Sequence, residues 1–417
     1  MCCLCQTDRG FNPGIRDCQT DWAFDWDSVS LFNPRRWVLQ LQTEASAPCL
    51  WTQELKSMEN LIGLTNEELA AVAVQAGQPA YRGKQLAGWI YRQGAASLDE
   101  MTDLPRGLRE SLANTHTVGL PTVAHKDVSE DETVKYLMQQ ADGLTIESVY
   151  LPYPERVSVC LSTQIGCPAG CTFCATAKGG LARNLTAGEI VGQFLQMQRE
   201  SERRISHAVY MGMGEPLWNY EAVIKSMRLL GTEVGISLRN LTVSTVGVVP
   251  GIRALAKEDM PVTLALSLHA PDDELRETLI PTARKWKLDE ILDACSEYVR
   301  NTHRDMTFEY LLIGGINDRP EHARALAALL KRKKLPGNVN LIPFNYVETE
   351  EGFKRPTRES ITRFRSELEK AGRIATQRMT RGHAIAAACG QLRRSLEQSA
   401  PRPAKTVTGD ILTLTPR

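Results

Sequence analysis

The sequence contains no uninterrupted run of about 18 apolar residues, so no segment is predicted to cross a membrane as a helix. Its N-terminus lacks a charged start followed by an apolar core, which argues against a secretory signal. Neither charge is in excess, because 49 basic and 49 acidic residues give a formal net charge of zero. The chain therefore lacks the overall basic excess that would indicate a polyanionic partner. A neutral chain can still bind RNA through a local basic face. These absences predict a cytoplasmic protein with no membrane partner.

Eleven cysteines are a high count, but they are not spaced densely and evenly as in a small secreted disulfide scaffold. A reducing compartment fits their distribution better. The 417 residues are 42% hydrophobic and 24% charged, which is ordinary for a globular protein that buries its core without disulfides. The chain is longer than one average domain, and its length suits a barrel with smaller attachments.

Residues 1–57 mix Trp, Cys, Pro and Asp without helical or strand periodicity. We expect this N-terminal extension to be disordered or to precede the natural start, for which Met58 is the candidate. Cys2, Cys3 and Cys5 lie close enough in sequence to suggest a metal site. Partner ligands at zinc spacing are missing, and this favours a mobile tail.

Residues 58–115 show helical patterns joined by short polar loops, which predicts a small helical accessory domain. Thr65 followed by Glu68 is a capping-box signature for the start of one helix. Five basic residues of this domain form either a solvated helix face or an RNA contact, and the sequence leaves both open. They are Arg82, Lys84, Arg92, Arg106 and Arg109.

Residues 116–156 predict a β-hairpin linker region, because Asp142-Gly143 separates two strand-like runs. Across residues 157–395, short apolar runs rich in branched residues alternate with amphipathic helical patterns. This alternation predicts an α/β fold with a parallel sheet, and about six units make it a partial (β/α)6 barrel. Ligands of such sheets gather at the carboxyl ends of the strands. Residues 396–417 are expected to form a flexible tail.

Cys167, Cys171 and Cys174 follow a predicted strand with the spacing C-x3-C-x2-C. Three thiolates can hold an iron–sulfur cluster and leave one iron open, whereas structural zinc needs a fourth nearby ligand. Redox disulfide motifs use a single C-x-x-C pair. The spacing, with Phe173 before the last cysteine, resembles the signature of the radical S-adenosylmethionine (SAM) superfamily. The resemblance implies a 4Fe–4S cluster that binds SAM and cleaves it to a 5′-deoxyadenosyl radical.

Several polar groups lie where predicted strands end. Gly214 and Glu215 belong to "MGMGEPL", in which glycines allow close backbone approach and a carboxylate can accept a bond from an ammonium group. Taken singly, such residues are more often capping or core groups, but their convergence at one edge favours a binding site. The other members of this set are Ser244, Ser267, Leu268, His269 and Asn345.

Two further cysteines lie apart from the motif. Cys160 lies on the strand that enters the cysteine loop, and Cys389 lies among small residues near the far end of the domain. A buried inert thiol is the common explanation for an isolated cysteine, and it suits Cys295. Arg378 and Arg381 precede Cys389 and could favour its thiolate form.

Across residues 60–395 the chain closely resembles the dual-specificity 23S rRNA and tRNA adenine-C2 methyltransferases. The resemblance rests on "ESVYLP", "VCLSTQIGCPAGCTFC", "MGMGEP", "STVGVVP", "LSLHAPDDELR", "LIPFN" and "RGHAIAAACGQL". It implies that Cys389 carries a methyl group, that Cys160 releases the product by forming a disulfide with Cys389, and that Glu147 accepts a proton. It also implies that the strand-end set contacts SAM and that each turnover uses two SAM molecules.

The same resemblance implies 23S rRNA and tRNA as partners, an electron donor such as flavodoxin or ferredoxin, and a monomeric enzyme. The chain departs from the family at His383, Ala384 and Ala386, where acidic residues are frequent. A related methyltransferase that modifies adenosine C8 shares all these motifs, and the helical N-terminal module favours the C2 enzyme. A non-catalytic iron–sulfur or zinc RNA-binding protein is the third reading, and it would need neither Cys160 nor Cys389.

Overall fold

A computed structural model describes residues 58–346, 352–378, 381–382 and 385–392. The predictions for residues 1–57 and 396–417, and the departures at His383 and Ala384, lie outside the described residues. None of the helices in the described ranges is both long enough and apolar enough to cross a membrane.

The N-terminal module contains three α-helices framed by a short pair of strands, with a π-helical stretch (Gly88–Gln93) and a 3-10 turn (Leu98–Glu100) between α2 and α3. Its elements are β1 (Glu59–Asn60), α1 (Asn66–Gln75), α2 (Arg82–Ala87), α3 (Arg106–Ala113) and β2 (His116–Thr117). Thr65 and Glu68 form the predicted capping box at the start of α1. A β-carbon at Gly83 would lie 2.3 Å from the Ala70 nitrogen, so α1 and α2 pack at glycine distance. β1 and β2 run parallel and close the module.

Three antiparallel strands follow, namely β3 (Thr122–Val128), β4 (Val134–Gln139) and β5 (Thr145–Pro152). Gly143 has a φ of +81°, which is the left-handed conformation that the predicted hairpin turn between β4 and β5 requires. β5 pairs with the first parallel strand, so the hairpin continues the main sheet.

The remaining elements alternate between strands and helices. They are β6 (Val157–Cys160), β7 (Gln164–Gly166), α4 (Ala175–Lys178), β8 (Leu181–Asn184), α5 (Ala187–Glu200), β9 (His207–Tyr210), α6 (Tyr220–Thr232), β10 (Leu241–Thr245), α7 (Val249–Leu255), β11 (Thr263–Ser267), α8 (Asp273–Leu279), α9 (Leu288–Thr302), β12 (Met306–Leu312), α10 (Pro320–Arg332), β13 (Gly337–Pro343), α11 (Arg358–Lys370) and β14 (Ala375–Gln377).

β3–β6 and β9–β14 form one ten-stranded sheet in the order β14-β13-β12-β11-β10-β9-β6-β5-β4-β3, and β7 and β8 pair in a separate two-stranded sheet. Neighbours from β6 and β9 through β14 pair in parallel. Each of the six parallel strands before β14 is followed by at least one helix, so the predicted partial (β/α)6 barrel is confirmed. Buried aliphatic side chains of the strands and helices form one continuous core, and the carboxyl ends of the parallel strands share one edge.

Candidate active site

A cavity with about 1030 Å³ of atom-free space opens at the carboxyl ends of the parallel strands. Its wall contains the three cysteines of the C-x3-C-x2-C motif and six of the seven predicted strand-end residues. The cavity has a mainly apolar lining with a few polar groups, as is typical of a ligand-binding pocket. We call it the main cavity. The structure thus brings most of the predicted site residues together.

The three motif cysteines lie on the loop between β7 and α4 and face the main cavity. Cys167 and Cys171 are buried, and Cys174 is partly buried. Burial raises the pKa of the Cys167 thiol to about 12 and also raises the pKa values of Cys171 and Cys174. The thiolate forms therefore need a cation beside them, and iron provides that charge when it binds.

Backbone hydrogen bonds hold this loop at both ends. The Cys167 amide donates to the Gly180 carbonyl at 2.9 Å, and the Thr172 amide donates to the Leu279 carbonyl at 3.0 Å. Gly166 has a φ of +84°, and a β-carbon on it would lie 1.9 Å from the Gly180 oxygen. The β7–β8 pair therefore clamps the loop to one side of the cavity, and the end of α8 supports the other side.

The donor set fits a cluster better than a single metal ion. Within the described ranges, no three His, Cys, Asp or Glu side chains are grouped so as to hold one metal ion. An iron–sulfur cluster does not need such a group, because each thiolate binds a different iron. Three soft thiolate donors in a buried loop beside a large cavity match a cluster with one open iron.

Glu215 lies at the cavity wall in the loop that follows β9 and is 2% exposed. Its carboxylate accepts hydrogen bonds from the Val246 amide at 2.8 Å and the Leu217 amide at 3.1 Å. Burial nevertheless raises the pKa of Glu215 to about 7. Gly214 has a φ of +103°, and a β-carbon there would lie 2.6 Å from the Gln164 side chain. This fixed carboxylate is suited to a cationic amine, as the sequence pattern predicts.

A row of polar side chains lies on adjacent strands and extends from the main cavity to the exposed strand β14. Ser267 pairs with Glu309, Glu309 with Asn340 and Asn340 with Thr376 in the strand register. The Ser244 and Ser267 hydroxyls lie 3.3 Å apart, and the Asn340 amide donates to Glu309 Oε1 at 3.0 Å. The Thr376 hydroxyl donates in turn to the side-chain amide oxygen Oδ1 of Asn340. Glu309 Oε2 has no hydrogen-bond partner in the part of the chain that the structure describes, and it belongs to a side chain that lines the main cavity.

His269 occupies a strained position just after β11. Its φ of +58° is unfavourable for a side chain with a β-carbon. Asn317 donates to the His269 carbonyl at 2.8 Å, and the Leu311 amide donates to His269 Nδ1 at 3.0 Å. Burial lowers the pKa of His269 to about 3, so the ring is neutral and its Nε2 carries the proton. Phe173 packs edge-on against the ring at 5.1 Å between centroids.

Leu268 differs from its neighbours because its side chain is fully buried in the core and does not line the main cavity. The Leu268 carbonyl accepts a hydrogen bond from Arg276 Nε at 3.1 Å. Arg276 Nη2 also donates to the carbonyls of Val246 at 2.5 Å and Ser267 at 3.1 Å. One guanidinium therefore joins the ends of β10 and β11.

Cys389 reaches the site on the segment 385–392, which docks against the cysteine loop. The Ala175 amide donates to the Gly390 carbonyl at 2.8 Å, and Thr176 Oγ1 donates to the Leu392 carbonyl at 2.6 Å. Both donors belong to α4, which begins directly after Cys174. This docking brings Cys389 to the wall of the main cavity, which also contains Cys174.

A second cavity with about 560 Å³ of atom-free space adjoins the first. Cys160 lines it, opposite Val149 in the register of β5 and β6, and Cys389 lines both cavities. Burial raises the pKa of the Cys160 thiol to about 12, and the nearby Arg378 acts in the opposite direction. The residues shared by both walls are Met211, Ile342, Asn345, Arg378, Cys389 and Leu392.

Glu147 is not among the described residues that line either cavity. Its side chain is 1% exposed, and Lys135 Nζ lies 3.3 Å from its Oε1. Val149 and Leu151, which line the second cavity, are on the same face of β5 because strand side chains alternate. The structure therefore places Glu147 beside the second cavity and not in its wall.

Three buried residues at the site were not predicted from the sequence, namely Arg276, Glu309 and Asn317. Each acts through contacts with other strands or loops. "LSLHAPDDELR" contains Arg276, but the motif alone does not reveal that its side chain turns back to β10 and β11. Glu309 is a charged residue within the apolar run "MTFEYLL", and this pattern could have identified it as a candidate site residue.

Comparisons with known proteins agree with this geometry. The Radical SAM superfamily profile matches residues 161–327, and the ribosomal RNA large subunit methyltransferase N-terminal domain profile matches residues 59–118. A probable dual-specificity RNA methyltransferase RlmN from Picosynechococcus sp. is 46% identical over 345 residues, which are 83% of this chain and 99% of that protein. The protein of the same name from Rippkaea orientalis is 48% identical over 341 residues, or 82% and 99% of the two chains.

Among solved structures, a radical SAM methyltransferase from Sphaerobacter thermophilus matches with a TM-score of 0.78 and 45% identity. The match covers 81% of this chain and 99% of that structure. The superfamily implies a 4Fe–4S cluster and SAM, and the thiolates and the main cavity fit both. On this identity and coverage, the chain belongs to the dual-specificity RNA methyltransferase family of the radical SAM superfamily.

Proposed function

We propose that this protein methylates C2 of adenosine in the peptidyl-transferase region of 23S rRNA and in tRNA, 3′ of the anticodon. The observation that carries the proposal is the position of Cys389 on the wall shared by two cavities. One cavity holds the three motif cysteines and the predicted SAM contacts, and the other holds Cys160. A methyl-carrying thiol needs access to both a radical source and a second thiol.

Radical chemistry is required because adenine C2 carries no leaving group and is electron-poor, so it does not attack a methyl cation donor. When bound at Cys167, Cys171 and Cys174, the cluster supplies the electron that cleaves SAM to methionine and the adenosyl radical. Glu215 is proposed to hold the amine of SAM, and Ser244, the segment 267–269 and Asn345 are proposed to contact the rest of it.

Cys389 acts first as a nucleophile and takes the methyl group of one SAM molecule. The radical from a second SAM removes a hydrogen atom from this S-methyl group, and the resulting carbon radical adds to adenine C2. Glu147 is proposed to accept the C2 proton, and the adduct would pass its unpaired electron to a one-electron acceptor, for which the oxidised cluster is the candidate, so that the aromatic ring is restored. Cys160 would then attack the Cys389 sulfur and form a disulfide as the bond from sulfur to the CH2 group breaks. The released CH2 carbon takes up a proton and becomes the methyl group of the RNA. The two thiols line one cavity, and this supports the last step.

RNA is the substrate class that the relatives' names state, and a match to an rRNA methyltransferase N-terminal domain supports it. An electron donor such as flavodoxin or ferredoxin is proposed to reduce the cluster. The monomeric state, the cytoplasmic location and the boundaries at residues 58, 116 and 157 remain predictions.

The test is mass spectrometry of nucleosides from a deletion strain complemented with the parent protein, Cys389→Ala or Cys295→Ala. Cys295 is a matched control because it is a buried thiol inside α9. We expect 2-methyladenosine in rRNA and tRNA with the parent and Cys295→Ala, and none with Cys389→Ala. Formation of 8-methyladenosine instead would assign the C8 reaction. Undiminished methylation by Cys389→Ala would contradict the proposed role of this thiol.

A further inference from the structure

Arg276 is a large charged side chain with no exposure to solvent. Among the described residues, its guanidinium donates hydrogen bonds to carbonyl oxygens only, those of Val246, Ser267 and Leu268. Its Nη1 has no hydrogen-bond partner within the described ranges. Burying a guanidinium costs several kcal/mol unless an anion compensates it, and carbonyl dipoles supply only part of that compensation.

The helix that carries Arg276 lies against the cysteine loop. The Leu279 carbonyl of α8 accepts bonds from both the amide of Thr172, at 3.0 Å, and its hydroxyl, at 3.3 Å. Leu279 and Ile280 pack in one buried cluster with Cys167 and Cys171. Burial lowers the pKa of Arg276, and negative charge on Cys171, Asp273 or Cys295 acts in the opposite direction. Cys171 belongs to the cysteine loop, so this loop is one source of negative charge for the buried cation.

The charge at the loop depends on what the loop holds. Three protonated thiols carry no charge, whereas three thiolates outweigh the positive charge of an oxidised cluster core. Reduction of the cluster adds a further negative charge. A fixed cation nearby stabilises the reduced form more than the oxidised form, and net local charge is one of the factors that set the potential of iron–sulfur clusters.

We propose that Arg276 is the buried counter-charge of the cluster and that it raises the cluster's reduction potential. This inference rests on the proposed assignment of Cys167, Cys171 and Cys174 as cluster ligands. The same side chain clamps the ends of β10 and β11, so it is a positioning residue that also acts by its charge. Arg276 thus contacts the strands that carry proposed SAM contacts and also affects the reduction potential of the cluster.

The experiment compares the midpoint potential of the cluster in four anaerobically purified full-length proteins, by redox titration followed by electron paramagnetic resonance. They are the parent, Arg276→Gln, Arg276→Lys and Arg284→Gln. Arg284 is a control cation from the neighbouring segment, with a side chain that is 76% exposed. We expect Arg276→Gln to shift the potential to more negative values, and Arg276→Lys and Arg284→Gln to stay near the parent.

An unchanged potential in iron-loaded Arg276→Gln would overturn the inference. If Arg276→Gln does not load iron, Arg276→Lys decides: full loading shows that the charge is what the loop requires. If a folded Arg276→Lys protein does not load iron, the loop requires the hydrogen bonds of the guanidinium and not its charge, and the inference is overturned. Iron and sulfide analysis of the parent protein tests the assignment of the cluster ligands separately. A parent protein without iron would contradict the proposed function, whatever the role of Arg276.

Discussion

The amide of Ala175 donates a hydrogen bond to the carbonyl of Gly390 at 2.8 Å. Ala175 directly follows Cys174 of the cysteine loop, and Gly390 directly follows Cys389. Two residues 215 positions apart in sequence thus tie the proposed radical source to the proposed methyl carrier. Gly390 has a φ of +82°, which a glycine adopts without strain and which lets its carbonyl face α4.

Removing the neighbouring hydrogen bond between Thr176 and Leu392 should weaken the docking of the segment 385–392 on α4. Thr176 Oγ1 donates to the Leu392 carbonyl at 2.6 Å within a buried contact. Thr176→Val keeps the side-chain shape but removes the donor, and we expect a loss of about 1 kcal/mol in the docking of this segment. The fraction of methylated Cys389 in purified protein, measured by peptide mass spectrometry, should fall.

Thr278→Val is the matched control, because the Thr278 hydroxyl makes an exposed bond to a carbonyl of its own helix. Its Cys389 methylation should equal that of the parent. Equal methylation in Thr176→Val would show that the segment holds its place without this bond.

Two glycine substitutions test whether the β7–β8 pair holds the cysteine loop in place. Gly166→Ala places a β-carbon 1.9 Å from the Gly180 oxygen at a φ of +84°, so β7 and β8 must separate. The left-handed conformation alone costs a residue with a β-carbon about 1–2 kcal/mol. We expect Gly166→Ala to lose most of its iron on anaerobic purification, as measured by iron and sulfide content.

Gly179→Ala provides the comparison at a glycine that directly follows α4. Gly179 has a φ of −77°, and the nearest atom to an added β-carbon is 3.8 Å away. This variant should retain the iron content of the parent. Equal iron in both variants would show that the β7–β8 pair does not shape the loop.

Local patterns predicted those parts of the site that are continuous in sequence. The cysteine spacing, the capping box at Thr65 and the glycine before Glu215 each specify a short piece of backbone, and strand alternation placed Ser267 at a strand end. The partial barrel followed from the order of apolar runs and helical patterns. These are properties that a window of a few residues can express.

Other parts depend on contacts that no local pattern expresses. Glu309 is one charged residue within an apolar strand, and its partner Asn340 comes from the next strand. β7 and β8 are three and four residues long, too short for a periodic signal, so the clamp was not predicted. Leu268 was predicted to contact SAM and Glu147 to accept a proton. The side chain of Leu268 packs in the core, and Glu147 pairs with Lys135. In each case tertiary packing decides where the side chain lies.

Glu215 should give the cluster-free protein a specific pH dependence of stability. Burial raises its pKa from 4.5 to about 7, so the folded state holds a proton that the unfolded state has already released. The stability that this proton provides is fully present below pH 4.5 and is lost as the pH rises through about 7. At 1.36 kcal/mol per pH unit, the loss is about 3 kcal/mol.

Glu215→Gln removes this titration while keeping the shape of the side chain. Urea unfolding at several pH values should show that the stability of the parent relative to Glu215→Gln decreases between pH 4.5 and 7. Glu297→Gln, an ion-paired and partly exposed carboxylate on α9, should show no such trend. A constant difference between Glu215→Gln and the parent would mean that Glu215 is already ionised at the lower pH.

Asn317 should be essential for the strained conformation of His269. Its amide nitrogen donates to the carbonyls of His269 at 2.8 Å and Leu311 at 2.6 Å, and its oxygen accepts from the Ile313 amide at 2.7 Å. Asn317→Ala leaves these backbone groups buried without partners, at a cost of about 1–3 kcal/mol each. His269 then has no reason to keep a φ of +58°, and the wall of the main cavity changes shape. We expect lower stability in urea unfolding and weaker SAM binding in isothermal titration calorimetry, whereas Asn301→Ala, at an exposed position of α9, should change neither. Unchanged SAM affinity in Asn317→Ala would show that the backbone at His269 does not depend on this amide.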